Sequence, residues 1–161
     1  MLSLALGLAA LGCKKGPAER APVAGGETLS YIFYGASNSS GTITIKANGD
    51  GFILDSGGPG FPPEEVEGDL GKGRDTIRMF HLGKIWLPPS QRAVGSKNNL
   101  GDVAEHRYFK DWQVASLIQH SGAAGKRFYD LKTGFLVGIE IAVGGEAYRG
   151  ELRSTTIPGL F

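Results

Sequence analysis

The stretch Lys126–Glu140 constrains this chain more than any other, because its residues specify a β-hairpin and little else. Phe128 and Tyr129 close one strand-like run, Asp130 and Gly134 bracket a turn, and Phe135, Val137, Ile139, Ile141 and Val143 then alternate with Leu136, Gly138, Glu140 and Ala142. A period of two marks a strand with one buried face. Asp130 is suited to accept a hydrogen bond from the backbone amide two residues on, and Gly134 tolerates the positive φ that a four- or five-residue hairpin loop often needs. Asp130, Thr133 and Gly134 therefore read as structural turn residues, and a one-residue slip there would turn the strand inside out.

Similar signals recur along the chain. Glu27–Tyr34 places Leu29, Tyr31 and Phe33 on one face, and residues 42–55 read as a hairpin around Asn48-Gly49-Asp50-Gly51. Asp75–Leu87 reads as a second hairpin that Pro88-Pro89 stops. From Asp102 onward short strands follow at hairpin spacing: 103–109, 112–119, 126–129, 135–143 and 146–153, a five-stranded antiparallel meander. The segment Ile157–Phe161 is apolar enough to cover an edge or end of such a sheet. Helical material is sparse; Pro63-Glu64-Glu65 is the best candidate for a short helix, with proline at its first position and carboxylates at its positive end. The fold expected is mainly β: a curved antiparallel sheet, a half-barrel or open-barrel meander.

Size and charge narrow the function classes. At 161 residues, the chain has room for one β-rich domain over 27–161 behind an N-terminal address. Its 17 Lys and Arg against 16 Asp and Glu form no basic block, which argues against nucleic acid as a partner. The single cysteine, Cys13, excludes an internal disulfide framework. The 26 glycines are dispersed among apolar runs without a three-residue period, as expected of many turns. Ser56–Gly73 is a long irregular excursion, rich in glycine and proline and then acidic, a candidate lid or partner-contact segment.

Residues 1–12 are almost wholly apolar, too short a run to span a bilayer as a helix, and end in Ala10-Leu11-Gly12-Cys13-Lys14-Lys15. This resembles the signal peptide of a bacterial lipoprotein, in which the cysteine is lipidated and becomes the first mature residue. The resemblance implies a membrane anchor at Cys13, a flexible tether over 13–26, and a place in the cell envelope facing the periplasm, at the outer membrane by preference. The plain alternative is a buried N-terminal helix with a core cysteine.

No catalytic constellation is visible. His81, His106 and His120 lack metal-ligand spacing, so no metal site is expected, and no cofactor loop occurs. Ser56-Gly57-Gly58 and Ser121-Gly122 lack the flanks of a nucleophile elbow. Asp50, Asp55, Asp69 and Asp130 lie next to glycine or in turn signals, where aspartate usually serves the backbone. The strand aromatics and aliphatics are more informative. Phe33, Trp86, Trp112, Phe135, Val137, Ile139 and Ile141 line either a packed core or an apolar cavity suited to an acyl chain, and spacing leaves both open.

Residues Phe128-Tyr129-Asp130-Leu131-Lys132-Thr133-Gly134-Phe135-Leu136-Val137 are similar to the late hairpin of the LolA/LolB-like superfamily of bacterial envelope proteins, and Lys84-Ile85-Trp86-Leu87-Pro88 more weakly resembles an earlier one. The resemblance implies a half β-barrel that carries lipid or lipoprotein acyl chains without catalysis. The expected partners are the membrane, through the anchor, and a lipid or another envelope protein; a protein-interaction scaffold with a packed core is the alternative.

Overall fold

The structure is a computed structural model that describes residues 19–34, 40–48, 51–57, 65–66, 84–120, 124–143 and 145–161. Cys13 and the apolar address, most of the 56–73 excursion, and residues 75–83 with His81 lie outside the described residues.

Nine strands form one antiparallel sheet: β1 (Thr28–Tyr34), β2 (Ser40–Asn48), β3 (Gly51–Gly57), β4 (Glu65–Val66), β5 (Gly101–Phe109), β6 (Trp112–Gln119), β7 (Gly125–Asp130), β8 (Leu136–Val143) and β9 (Glu146–Thr155). Their order across the sheet is β4-β3-β2-β1-β9-β8-β7-β6-β5. Two meanders are thus joined side by side through the pair β1–β9, and the sheet is open, with β4 and β5 at its two edges. The mainly β expectation and the five-strand meander of the last third both hold. The helix expected from Pro63 is corrected at its one described part: Glu65 and Val66 pair with Ile53 and Phe52 as an edge strand. The glycine- and proline-rich lead-in gives little helix propensity, while the neighbouring edge offers unpaired backbone groups. Among the described residues the sole helical turn is the 3-10 segment Pro89–Gln91.

Antiparallel partners share a face, so the register shows which side chains lie together. Phe33 opposes Gly150, Gly150 opposes Ile139, Ile139 opposes Arg127, Arg127 opposes Leu117, and Leu117 opposes Val103. One transverse row therefore crosses six strands on the inner face. Leu29 and Tyr31 with Ile45, Ile43 and Leu152 extend that face, and all are buried. Burying such side chains stabilises by about 1.5–3 kcal/mol each before conformational entropy is counted.

A strap of residues 84–92 crosses the end of this core. Ile85 and Leu87 are fully buried, and Trp86 bridges Phe135. The Leu87 amide donates to Gly134 O, and the Leu136 amide donates to Ile85 O. Residues 84–87 thus make an isolated bridge to the start of β8. The period-two reading of β8 holds over Ile139–Ala142, but Leu136 and Gly138 are buried too. A register shift in β7–β8 between Phe128 and Tyr129 and the strap explain Leu136. At Gly138 the Phe109 ring closes over the backbone so tightly that a Cβ would stand 2.4 Å from it.

Candidate functional site

The predicted turn is the best-defined polar feature. Asp130 Oδ2 accepts from the Thr133 amide, three residues on where two were expected, and from the Thr133 hydroxyl, both at 2.6 Å. Gly134 adopts φ 85°, and its amide donates to Asp130 O at 2.8 Å. The structure adds a clamp around this turn. Arg92 Nε donates to Leu87 O at 2.7 Å, while its terminal nitrogens donate to Leu131 O at 3.1 Å and Thr133 O at 3.1 Å. Trp86 Nε1 donates to the same Thr133 oxygen at 2.9 Å, and the guanidinium lies 5.9 Å from the Trp86 ring centroid. Desolvation pulls the Arg92 pKa below its ordinary value, an effect that the nearby Asp130 and Glu19 carboxylates oppose. Sequence spacing gives no sign of Arg92: besides Leu87 O five residues before it, its partners are backbone oxygens 39 to 41 residues away.

The candidate ligand-lining residues divide into three groups. Phe33, Val137, Ile139 and Ile141 are buried on the inner face. Phe135 is also buried, edge-on to Phe52 at 6.4 Å. Trp86 belongs to the strap. Trp112 stands apart: it precedes Val114 by two residues, Val114 opposes Asp130, and that parity is shared with Phe128 on the outer face. Its indole N–H donates to Leu160 O at 2.8 Å and its ring meets Phe161 at 5.3 Å. Trp112 therefore fastens segment 157–161 over the end of the sheet and does not face Val137.

Arg127 occupies the middle of the inner-face row, fully buried, with Nε donating to Gln119 Oε1 at 2.7 Å. Desolvation holds its pKa below the ordinary guanidinium value, and the neighbouring Tyr129 opposes that shift. Tyr31 and Tyr129 donate to Leu136 O and Lys84 O, at 2.8 and 2.7 Å. The face is thus apolar with a few satisfied polar groups. Arg127 was legible in principle, since it shares the parity of Tyr129 in the Lys126–Asp130 run, but lysine or arginine beside aromatic residues usually reads as solvent-facing.

No protein-family model and no curated protein matches the chain.

Elsewhere the polar side chains serve structure. His106 bonds Arg92 O through Nε2 at 2.7 Å, and His120 lies 3.2 Å from Asp102 on the surface. Among the described residues no three His, Cys, Asp or Glu side chains converge as a metal site would require. On the outer face Phe109 stacks on Phe128 at 4.5 Å, with Arg107 beyond Phe128 and Arg149 beyond Phe109, each 5.8 Å from its ring. Lys110 reaches the buried Glu151 carboxylate at 2.7 Å. A groove of about 550 Å³, with Tyr34, Ile141, Ala142, Ala147 and Tyr148 in its lining, opens at the opposite end of β7–β9.

Proposed function

We propose that this chain is a lipid-anchored protein of the bacterial envelope whose open β-sheet holds a hydrophobic ligand, a lipid or acyl chain, against its inner face without catalysis. The observation that carries the reading is the transverse row from Phe33 to Val103, a buried row spanning six strands of an unclosed sheet and apolar but for Arg127. Apolar faces of this breadth on curved sheets suit long, chemically plain ligands, because binding there needs burial more than directional contacts. The address at Cys13 and the LolA/LolB-like hairpin at Phe128–Val137 favour the same reading.

A second reading, a scaffold with a packed core, has its own support. Phe33 and Ile139 close over Gly150, where a Cβ would lie 2.4 Å from the Phe33 ring and 2.6 Å from Ile139 Cγ2. One experiment separates the two. The full chain, purified from membranes, is examined by native mass spectrometry and by uptake of an apolar fluorescent dye, beside Val137→Trp. Ligand carriage expects a co-purified acyl lipid and dye uptake that Val137→Trp suppresses while the fold persists. Absence of both lipid and dye uptake in the unaltered protein refutes carriage and leaves the scaffold.

A further inference from the structure

We infer that the end of the sheet that carries segments 19–27 and 157–161 rests on the membrane surface, an inference that takes the lipid anchor at Cys13 from the reading above. Strand directions put several features at that one end: the start of β1, the end of β9, and the turns after β5 and β7. The decisive observation is how early the chain becomes fixed to the domain, since residues 19–26, expected to belong to a flexible tether, are held against it. The Ser90 hydroxyl donates to Glu19 Oε2 at 2.5 Å, Ala21 and Val23 pack against the core, and the Gly26 amide donates to Ala47 O at 2.8 Å. Only Lys14–Ala18 separates Cys13 from Glu19. Six Cα-to-Cα steps reach at most roughly 20 Å even when fully extended.

A nine-residue strand such as β5 is roughly 30 Å long, so the opposite end of the sheet, with the groove that Ala142 and Ala147 help to line, is held away from the lipid. The near end also has the chemistry of an interface. Phe161 is 71 % exposed, yet its ring meets Trp112 edge-on at 5.3 Å. Exposed Lys132 lies beside Gly159 in the adjoining turn. An exposed aromatic ring beside an ammonium group suits an anionic bilayer surface, where the ring settles at headgroup depth and the cation pairs with phosphate. The groove then faces the aqueous side, open to whatever arrives from there.

The test uses the full lipidated chain in vesicles of phosphatidylethanolamine with phosphatidylglycerol. Acylation consumes the thiol of the chain's single cysteine, so a spin label at Lys132→Cys or at Ala142→Cys is unique. Both positions are exposed. Relaxation of the Lys132→Cys label by a water-soluble nickel chelate should be several-fold weaker than that of the Ala142→Cys label, with oxygen showing the reverse order. Equal accessibility at the two labels, or protection at Ala142→Cys, overturns the inference while leaving the anchor standing. A parallel fractionation guards the premise: if Cys13→Ser stays with membranes as the unaltered chain does, or the unaltered chain never partitions to them, the anchor reading fails and the orientation falls with it.

Discussion

Replacing Arg92 with alanine should destabilise the domain by about 3 kcal/mol, although the residue sits on a strap outside every strand. Adding a charge-assisted value of about 1.5–3 kcal/mol for each of its carbonyl bonds would overstate the loss. The Leu131 and Lys132 oxygens belong to a turn that is half-buried to exposed and can be rehydrated. The Thr133 oxygen keeps the Trp86 indole as donor. Leu87 O is different: its residue is fully buried, and Arg92 Nε is its donor at 2.7 Å. Leaving it unpaired costs about 1–3 kcal/mol. Loss of the stacking on Trp86 adds about 0.5–1 kcal/mol, and loss of the packed alkyl stem about 1 kcal/mol. Relief of the guanidinium's own desolvation returns part of this sum. A 3 kcal/mol change in a domain of this size lowers Tm by about 6–12 °C. Urea unfolding followed by tryptophan fluorescence measures it, since Trp86 is one of two tryptophans and touches the substituted side chain. Arg92→Lys should recover less than half of the loss, because a single ammonium cannot reach Leu87 O and the turn carbonyls together. Full recovery by lysine, or a loss under about 1 kcal/mol in the alanine variant, would refute the clamp.

Other substitutions probe the rest of the framework. Gly134→Ala should cost more than the roughly 1–2 kcal/mol of an ordinary left-handed alanine, because its Cβ would stand 2.4 Å from Leu87 O; chemical denaturation gives the value, and a cost below 1 kcal/mol contradicts the geometry. Gly138→Ala should force the Phe109 ring off Phe128, and Phe109→Ala should make Gly138→Ala nearly neutral; additive effects in that double-mutant cycle would show that the ring does not cover the glycine. Burial, with a smaller contribution from Tyr129, raises the Tyr31 phenol above its ordinary pKa. Above the unfolded value, near pH ~10, the unfolded chain gives up that proton and the folded chain keeps it, so the stabilising contribution is complete below that pH and declines above it. Tyr31→Phe should flatten this alkaline decline in Tm, at the expense of the bond to Leu136 O; an unchanged slope refutes it. Cys13→Ser should move the protein from the membrane to the soluble periplasmic fraction, read by fractionation.

The hairpins were legible because each is specified locally. Asp130, Thr133 and Gly134 carry their turn in three side-chain and backbone choices, and alternation over Ile139–Ala142 marks the buried face of β8, whereas burial at Leu136 and Gly138 comes from the strap and the Phe109 ring. What escaped the sequence depends on contacts far along the chain. Arg92 is defined in part by carbonyls of the 131–133 turn, which only the fold brings to it. Glu65 and Val66 follow helix-start chemistry, yet an open edge at β3 recruits them as strand. Trp112 counts as a strand aromatic like Phe33, but the two-residue turn Lys110-Asp111 fixes its parity, and with it the face, opposite to Val137. Parity in β7 likewise puts Arg127 inside, against the ordinary expectation for a charged residue.

The seam between β1 and β9 also bears on how the molecule is made. Thr28 bonds Thr156 across a separation of 128 residues, and β1 has no second neighbour until β9 arrives. The β5–β9 meander can form from successive local closures, but the two meanders unite only after most of the chain is present. Such long-range pairing is slow relative to hairpin formation. A chain cut short before Leu152 lacks the residues that oppose Tyr31 and Ser30, and would expose the unsealed apolar flank of β1 as a template for aggregation. The late seam makes completion of the sheet a check on the integrity of the stretch from β1 to β9.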